Sequence, residues 1–248
     1  MDKVQIVILA AGHGKRMNNG DLPKVLVSFK GQPMIKNLLK AIKESGVCEK
    51  PAIVVGQGAD QVKDVLGPDY IYIFQKEQLG TGHALACTKD VLQGKSENIM
   101  VLYGDHPLVS SDMIKSLANN HLVSGKVITM ATVKTPDFND WHQGFFQFGR
   151  LVRDESKKVC QIIEVKDASE SQKQITEVNP GYYCFKASWL WDNLDKLKDN
   201  NAQHEYYLTD LISIACKSGQ EINTVKIKPR EALGVNTKEQ LDLLENLD

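Results

Sequence analysis

Apolar residues in the first half of the chain form short unbroken runs that alternate with amphipathic segments. The runs Ile6–Leu9 and Ile99–Leu102 contain no polar residue, as in strands buried on both faces of a parallel sheet. The segment Met34–Glu44 instead carries apolar residues at the i, i+3, i+4 and i+7 positions of one helical face. The alternation predicts an α/β fold, Rossmann-like, with a mostly parallel sheet flanked by helices.

The pattern changes at about Val127, where β-rich segments with polar interruptions begin. Strands are predicted over Phe145–Val152 and Thr176–Phe185, among others, and a helix over His83–Leu92 in the first half. We expect a smaller β-rich insertion on the substrate side of the main sheet. The length of 248 residues suits one domain, 1–248, made of two halves, 1–125 and 126–248.

Composition narrows the range of partners. With 30 basic and 31 acidic side chains the net charge is −1, so no nucleic acid partner is expected, and any bound phosphate must be held by a local group of cations and amides. The five cysteines contain no C-x-x-C pair and are expected to be reduced. The apolar run at the N-terminus is far shorter than a membrane span, so we expect a cytoplasmic protein without a membrane partner.

The loops after the parallel strands are the first place to look for chemistry. Loops that follow Ala10, Phe74 and Leu102 are expected to meet at the carboxyl edge of the sheet. The first of these loops is rich in glycine, which lets backbone amides approach phosphate oxygens, and Arg16 adds a bidentate cation. Met17 stands where a dinucleotide-binding loop has its third glycine, and no G-K-[ST] follows Gly14. Dehydrogenase and P-loop kinase interpretations are therefore disfavoured.

Charged and polar side chains near this edge are candidates for catalysis or metal binding. Lys24 follows a proline eight residues after Arg16, and the two cations could stabilise developing phosphate charge. Asp105 ends an apolar strand and, with Asn236, could hold a divalent ion, although it could equally cap the next helix. Thr81 could likewise be an ordinary helix cap without a ligand.

Several further motifs support a family resemblance. The chain resembles the sugar-phosphate nucleotidyltransferases, and in particular the uridyltransferase domain of bifunctional N-acetylglucosamine-1-phosphate uridyltransferase, nearly from end to end. The matching segments are Leu9–Met17, Leu22–Leu26, Gln75–Ala84, Tyr103–Leu108, Ile163–Asp167, Glu177–Gly181, Asn201–Asp210 and Gly234–Asn236.

The resemblance implies a nucleotide-diphospho-sugar transferase fold, with 1–125 binding the nucleotide and 126–248 the sugar. It implies Mg²⁺ on Asp105 and Asn236, and catalysis by Arg16, Lys24 and Asp105. Substrate-binding roles are implied for three sets: Leu9, Ala10, Ala11, Gly12 and Gly14 for the triphosphate; Gln75, Gly80 and Thr81 for uracil; Tyr103, Gly149, Glu164 and Asn179 for the sugar and its acetamido group.

The implied reaction joins a nucleotide to a sugar 1-phosphate and releases pyrophosphate, with UTP and N-acetylglucosamine 1-phosphate favoured. Only small-molecule partners are expected. Cytidylyl or other nucleotidyl transfer to a different phosphorylated acceptor is an alternative. A catalytically weakened nucleotide-sugar sensor is another, of a different class.

The sequence also departs from the family at several positions. Lys15, His106, Pro180 and His204 replace the usual residues, and the segment Asp137–Phe148 is longer and more aromatic than the family's turn. The acceptor sugar is therefore left open. Because the sequence ends at Asp248, soon after the last motif, we expect neither the acetyltransferase domain of the bifunctional family nor its trimer.

Overall fold

The computed structural model describes residues 3–12, 14, 17 and 20–247. The described strands are β1 (Val4–Ala10), β2 (Ser28–Phe29), β3 (Gln32–Pro33), β4 (Ala52–Val55), β5 (Ile71–Phe74), β6 (Asn98–Tyr103), β7 (Ile128–Lys134), β8 (Gly149–Arg153), β9 (Val159–Ile163), β10 (Glu177–Asn179), β11 (Tyr183–Lys186) and β12 (Ile222–Lys226). The described α-helices are α1 (Met34–Ser45), α2 (Ala59–Leu66), α3 (Thr81–Ala86), α4 (Lys89–Leu92), α5 (Ser111–Ser124), α6 (Glu170–Lys173), α7 (Ala187–Asn193), α8 (Asp210–Lys217) and α9 (Lys238–Glu245). Short 3-10 helices span Lys24–Leu26, Asp140–Gln147, Leu194–Lys196 and Pro229–Ala232.

Ten strands form one mixed sheet in the order β5-β4-β1-β6-β11-β7-β10-β8-β9, with β12 also paired to β7. Strands β5, β4, β1 and β6 are mutually parallel, and β11 runs antiparallel between β6 and β7. The predicted mostly parallel, Rossmann-like sheet flanked by helices is confirmed. Strands β2 and β3 form a separate hairpin.

Both faces of the parallel strands β1, β4 and β6 are buried, as unbroken apolar runs predict, whereas the edge strand β5 is partly exposed. Successive side chains of a strand point to opposite faces. Ile6 and Ile8 of β1 accordingly pack with Leu38 of α1, whereas Val7 lies in the core on the other face with Leu190 of α7.

The predicted β-rich region continues the main sheet through β7. The first residues of β7 pair with β11, and its last residues pair with β10. Strand β8 pairs with the other side of β10, and β9 pairs with β8 at the edge of the sheet. The prediction of one strand over Thr176–Phe185 was wrong, because β10 and β11 are separated at Pro180 and Gly181. Proline lacks an amide hydrogen for the sheet, and Gly181 has a φ of +85°.

Two other predicted bounds need correction. The helix predicted over His83–Leu92 is divided into α3 and α4 at Thr88, whose amide bonds Leu85 O at 3.0 Å and whose hydroxyl bonds the same oxygen at 2.7 Å. The strand predicted over Phe145–Val152 begins only at Gly149, because Asp140–Gln147 forms a 3-10 helix. Within the described ranges, no helix is long and apolar enough to cross a membrane.

Candidate active site

A cavity of about 210 Å³ lies at the carboxyl ends of β1, β5 and β6. The three loops expected to meet there all contribute to its wall, so that prediction is confirmed. We call this space the first cavity. Its lining residues are Leu9, Ala10, Ala11, Gly12, Lys24, Val25, Gln75, Gln78, Gly80, Thr81, Ala84, Tyr103, Asp105 and Glu205.

Lys24, Asp105 and Asn236 meet at one point of this edge. The Lys24 ammonium donates to the Asp105 carboxylate and, at 3.0 Å, to Asn236 Oδ1. The pairing depends on chain segments far apart in sequence, and the Val235 amide donates to Asp105 O at 2.9 Å to hold them together. The ammonium is thus held by two oxygens that were predicted to hold a metal ion.

Asp105 is ionised in this setting. Burial alone would raise the pKa of its carboxyl, but the charge of Lys24 and the hydrogen bond from its ammonium contribute to the opposite effect, and the net result is a lowered pKa. The alternative role as a helix cap is wrong, because Ser110 caps α5 by accepting from the Met113 amide at 3.1 Å.

The glycine-rich loop leads into this cluster. Gly14 has a φ of +62°, and a Cβ there would lie 2.8 Å from the Cβ of Lys24, so the close approach requires glycine. The Met17 amide donates to Gly14 O at 2.8 Å. Arg16 lies outside the described residues, so its catalytic role stays a prediction.

The other end of the first cavity is built around Gln75. This side chain is buried, and its Nε2 lies 3.3 Å from Gly80 O and 3.0 Å from His83 Nδ1. Gly80 has a φ of +104° and approaches Tyr206 O closely. Thr81 is not a helix cap, because its hydroxyl accepts from the Leu208 amide at 3.2 Å.

A second cavity, also of about 210 Å³, adjoins the first, and both are lined by Thr81, Tyr103 and Glu205. The four residues predicted to surround the sugar, Tyr103, Gly149, Glu164 and Asn179, all line it. Its further lining residues are His106, Phe148, Pro180, Gly181, Gln203, Tyr207 and Thr209.

Polar groups of the second cavity are held by local hydrogen bonds. Asn179 Oδ1 accepts from the Gly181 amide at 3.0 Å, and Thr209 Oγ1 donates to Glu164 Oε1 at 3.1 Å. Burial is the main cause that raises the pKa of Glu164 above its ordinary value. Gly181 contacts the ring of Tyr103 so closely that a Cβ would lie 2.5 Å from it.

Two adjoining cavities with a charged group in the wall of the first are the arrangement expected of a transferase with two substrates. The family model of the MobA-like NTP transferase domain matches residues 6–205. The chain belongs to this family.

Curated relatives agree with this assignment. The chain is 38% identical over 242 residues to the bifunctional protein GlmU of Clostridium novyi, covering 97% of the chain and 51% of that protein. It is 39% identical over 246 residues to GlmU of Brevibacillus brevis, covering 99% of the chain and 51% of that protein. The chain is 41% identical over 242 residues to GlmU of Heliobacterium modesticaldum, covering 97% of the chain and 51% of that protein. The chain therefore spans about half the length of the curated relatives it matches, and the resemblance found in its motifs is confirmed.

His106 lies in the wall of the second cavity of this NTP transferase domain, next to Asp105 of the first. Its Nε2 lies 3.6 Å from Asp105 Oδ1, and its ring stacks on Tyr103 with centroids 5.5 Å apart. Burial, more than the opposing charge of Asp105, lowers the pKa of the imidazole. Sequence reasoning noted His106 as a departure from the family and assigned it no role.

A buried arginine supports the wall of the second cavity. The Arg150 side chain donates to Phe146 O at 2.9 Å, to Lys173 O at 3.1 Å and to Phe148 O. Its guanidinium carbon lies 4.7 Å from the ring centroid of Phe138. The aromatic segment that distinguishes this chain from its family is therefore attached to the strand that carries Gly149.

Several lining residues were missed by sequence reasoning. Gln78 and Ala84 lie in the first cavity, and Gln203, Glu205 and Thr209 reach the cavities from the loop before α8. All five stand within the motif segments Gln75–Ala84 and Asn201–Asp210, so the motifs themselves were the available signal.

Proposed function

We propose that this chain transfers the nucleoside monophosphate of a nucleoside triphosphate, with UTP favoured, to a sugar 1-phosphate, with N-acetylglucosamine 1-phosphate favoured. The observation that carries the proposal is the pair of adjoining cavities, with Lys24 and Asp105 in the wall of the first and His106, next to Asp105, in the wall of the second. Such a site can hold two substrates side by side. Membership of the NTP transferase family and the GlmU relatives support the same reaction class.

The first cavity suits the nucleotide. Its loop from Leu9 to Gly12 offers backbone amides beside Lys24, which is a suitable environment for a triphosphate. At the other end, Gln75 Nε2 is bonded to Gly80 O and His83 Nδ1, which orients the side chain, and Gln75 Oε1 and the Gly80 amide offer the acceptor and donor that the imide edge of uracil requires. The base preference rests on this complementarity.

The second cavity suits the acceptor. Asn179, Glu164 and Thr209 present amide, carboxylate and hydroxyl groups to a space walled by Tyr103 and Phe148. Sugars combine hydroxyl groups with apolar faces, and this lining matches both. An acetamido group would add one donor and one acceptor that the Asn179 and Glu164 side chains can pair with.

The residues present fit a magnesium ion. Asp105 and Asn236 direct hard oxygen donors at one cation, which in this structure is the Lys24 ammonium. No group of three His, Cys, Asp or Glu side chains among the described residues could hold a metal, so phosphate oxygens and water would complete the coordination. When bound, Mg²⁺ would supply charge neutralisation at the phosphates.

The reaction needs no protein base. A sugar phosphate has a second pKa of about 6, so one of its oxygens is already anionic at neutral pH. That oxygen forms a bond to the α-phosphorus, the bond from the α-phosphorus to the bridging oxygen breaks, and pyrophosphate leaves with the electron pair. Lys24, with Arg16 as a predicted second cation, would stabilise the charge that develops on these oxygens.

A substrate panel tests the proposal. Pyrophosphate release would be measured for four nucleoside triphosphates against several sugar 1-phosphates with Mg²⁺, and the Asp105→Asn variant would serve as the inactive control. UTP with N-acetylglucosamine 1-phosphate is expected to give the highest kcat/KM. A higher value with CTP would replace uridylyl by cytidylyl transfer. If no substrate pair releases pyrophosphate and the protein binds a nucleotide sugar tightly, a nucleotide-sugar sensor would be favoured.

A further inference from the structure

A chain of hydrogen bonds determines which nitrogen of His106 carries the proton. The Tyr182 hydroxyl has one hydrogen and donates it to Glu231 O at 2.8 Å. His106 Nδ1 lies 2.5 Å from that same hydroxyl oxygen, so Nδ1 must be the donor of this second bond. A neutral imidazole has one donor and one acceptor nitrogen. Nε2 of His106 therefore carries a lone pair.

That lone pair lies beside the candidate metal ligands. Nε2 is 3.6 Å from Asp105 Oδ1, while the other carboxylate oxygen, Oδ2, accepts from Lys24. Two electron-rich acceptors facing each other at this distance repel unless a cation lies near both. Metal bonds to imidazole nitrogen and to carboxylate oxygen are each about 2.1 Å, so one ion could reach both atoms.

Gly234 leaves room for the imidazole itself, because the edge of the His106 ring occupies the space that a side chain at this position would need. A Cβ on Gly234 would lie 2.4 Å from His106 Nε2 and 2.6 Å from its Cδ2. Gly234 belongs to the same short segment as Asn236, and the Val235 amide between them bonds Asp105 O. The same backbone contact therefore positions all three side chains, Asp105, His106 and Asn236.

On the basis of the proposed function, we propose that His106 Nε2 is a third protein ligand of the divalent ion held by Asp105 and Asn236. The bond from Nδ1 to Tyr182 is the kind of support that orients a metal-binding histidine through its other nitrogen. Mn²⁺ shares with Mg²⁺ the preference for carboxylate and carbonyl oxygens, so it can occupy the same site. Because Mn²⁺ is paramagnetic, it can report the imidazole ligand.

Pulsed electron paramagnetic resonance of bound Mn²⁺ tests the ligand directly. The full chain would be mixed with Mn²⁺ and a non-hydrolysable UTP analogue, and nuclear modulation from a coordinated imidazole nitrogen would be recorded. The modulation is expected in the native protein and should change when its histidines carry ¹⁵N, which separates imidazole from lysine and backbone nitrogen.

Two variants serve as a matched pair. His106→Asn keeps a donor at the Nδ1 position for Tyr182 and removes Nε2, whereas His204→Asn removes an imidazole from an exposed position with a φ of +53°, which asparagine tolerates. His106→Asn is expected to lose the modulation and to weaken Mn²⁺ binding at least about tenfold, whereas His204→Asn keeps both.

The outcomes separate this inference from the proposed function. Suppose that the native protein binds Mn²⁺ in a way that depends on Asp105 and yet shows no imidazole modulation. That result would overturn the role of His106 and leave the transferase proposal intact. Equal affinity for Mn²⁺ in the native and His106→Asn proteins would also overturn it. Failure of the native protein to bind Mn²⁺ at all would contradict both the inference and the metal site of the proposed function.

Discussion

Lys24 is a residue with a large expected effect on turnover. In Lys24→Ala, Asp105 and Asn236 lose their shared cation, and the reacting phosphates lose a positive charge. Removal of one such preorganised group lowers kcat by about 10²–10³-fold in comparable sites. We expect a fall of this size in steady-state kinetics, with a smaller change in KM for the triphosphate.

A lysine outside the site provides the control for this experiment. Lys40 lies on α1, and 72% of its side chain is exposed, so Lys40→Ala should behave as the native protein does. An unchanged kcat in Lys24→Ala would remove Lys24 from the catalytic group.

At the scale of single residues, the sequence could indicate the site but leave roles undecided. Asp105 was recognisable because it follows an apolar strand, yet only the contact of Ser110 with Met113 shows that another residue caps the helix. Glu205 could not be assigned to the cavities from the sequence. Its position depends on backbone bonds that join the next residue, Tyr206, to Leu79 and Gly82, more than 120 positions earlier in the chain. His106 was visible as a substitution, but its hydrogen bond to Tyr182 joins residues 76 positions apart.

At the scale of elements, Arg150 connects the aromatic segment Asp137–Phe148 to β8 and thereby supports the wall of the second cavity. Arg150→Met would leave the carbonyl groups of Phe146, Phe148 and Lys173 without their buried donor. Each buried acceptor without a partner costs about 1–3 kcal/mol, so we expect a loss of several kcal/mol in the free energy of unfolding. KM for the acceptor should rise more than KM for the triphosphate.

Denaturant titration and substrate-saturation curves check both effects of Arg150→Met. Arg153→Met is the matched control, because Arg153 lies on the same strand but pairs with Glu177 at a partly exposed position. Equal changes in the two KM values would show that Arg150 supports the whole molecule without a particular effect on the second cavity.

His121 links α5 to the sheet in a pH-dependent way. Its ring lies 3.0 Å from Thr129 Oγ1 and 3.1 Å from Asn98 Oδ1, and burial lowers its pKa from 6.5 to about 4. As the pH falls, the unfolded chain takes up this proton first, so stability is complete above about 6.5 and declines towards 4. At 1.36 kcal/mol per pKa unit, about 2 kcal/mol is lost between pH 7.5 and 5.

Denaturant unfolding of the native protein and of His121→Gln at the two pH values measures this contribution. The variant can still bond Asn98 and Thr129 but has no group that titrates in this range. The difference in unfolding free energy between the two proteins should therefore depend on pH. A difference that is the same at pH 7.5 and pH 5 would refute the effect of His121.

Element bounds could be predicted where the apolar pattern was strong. The apolar runs Ile6–Leu9 and Ile99–Leu102 fall within β1 and β6, and the helical segment Met34–Glu44 falls within α1, because burial follows directly from these patterns. The division between β10 and β11 depends on the backbone at Pro180 and Gly181, which an apolar count overlooks. Strand order was harder still, since β11 enters the sheet between β6 and β7 through contacts distant in sequence.

At the scale of the whole molecule, β11 joins the two predicted halves of the chain. It pairs with β6 of the first half on one side and with β7 of the second half on the other. Core residues from both halves also share clusters on each face of the sheet: Val7 packs with Leu190 in one, and Ile8 with Cys184 in the other. Neither half can expose its edge at β11 without losing backbone hydrogen bonds and apolar burial.

We therefore expect cooperative unfolding of the chain as one unit. The three tryptophans all lie in the second half, at positions 141, 189 and 191, so their fluorescence reports on that half, whereas far-ultraviolet circular dichroism reports on the entire chain. Coincident denaturant midpoints from the two signals are the result expected of a single transition. A dichroism curve with a separate step that fluorescence does not show would mean that the first half of the chain unfolds independently. The sheet contacts of β11 would then be too weak to couple the halves.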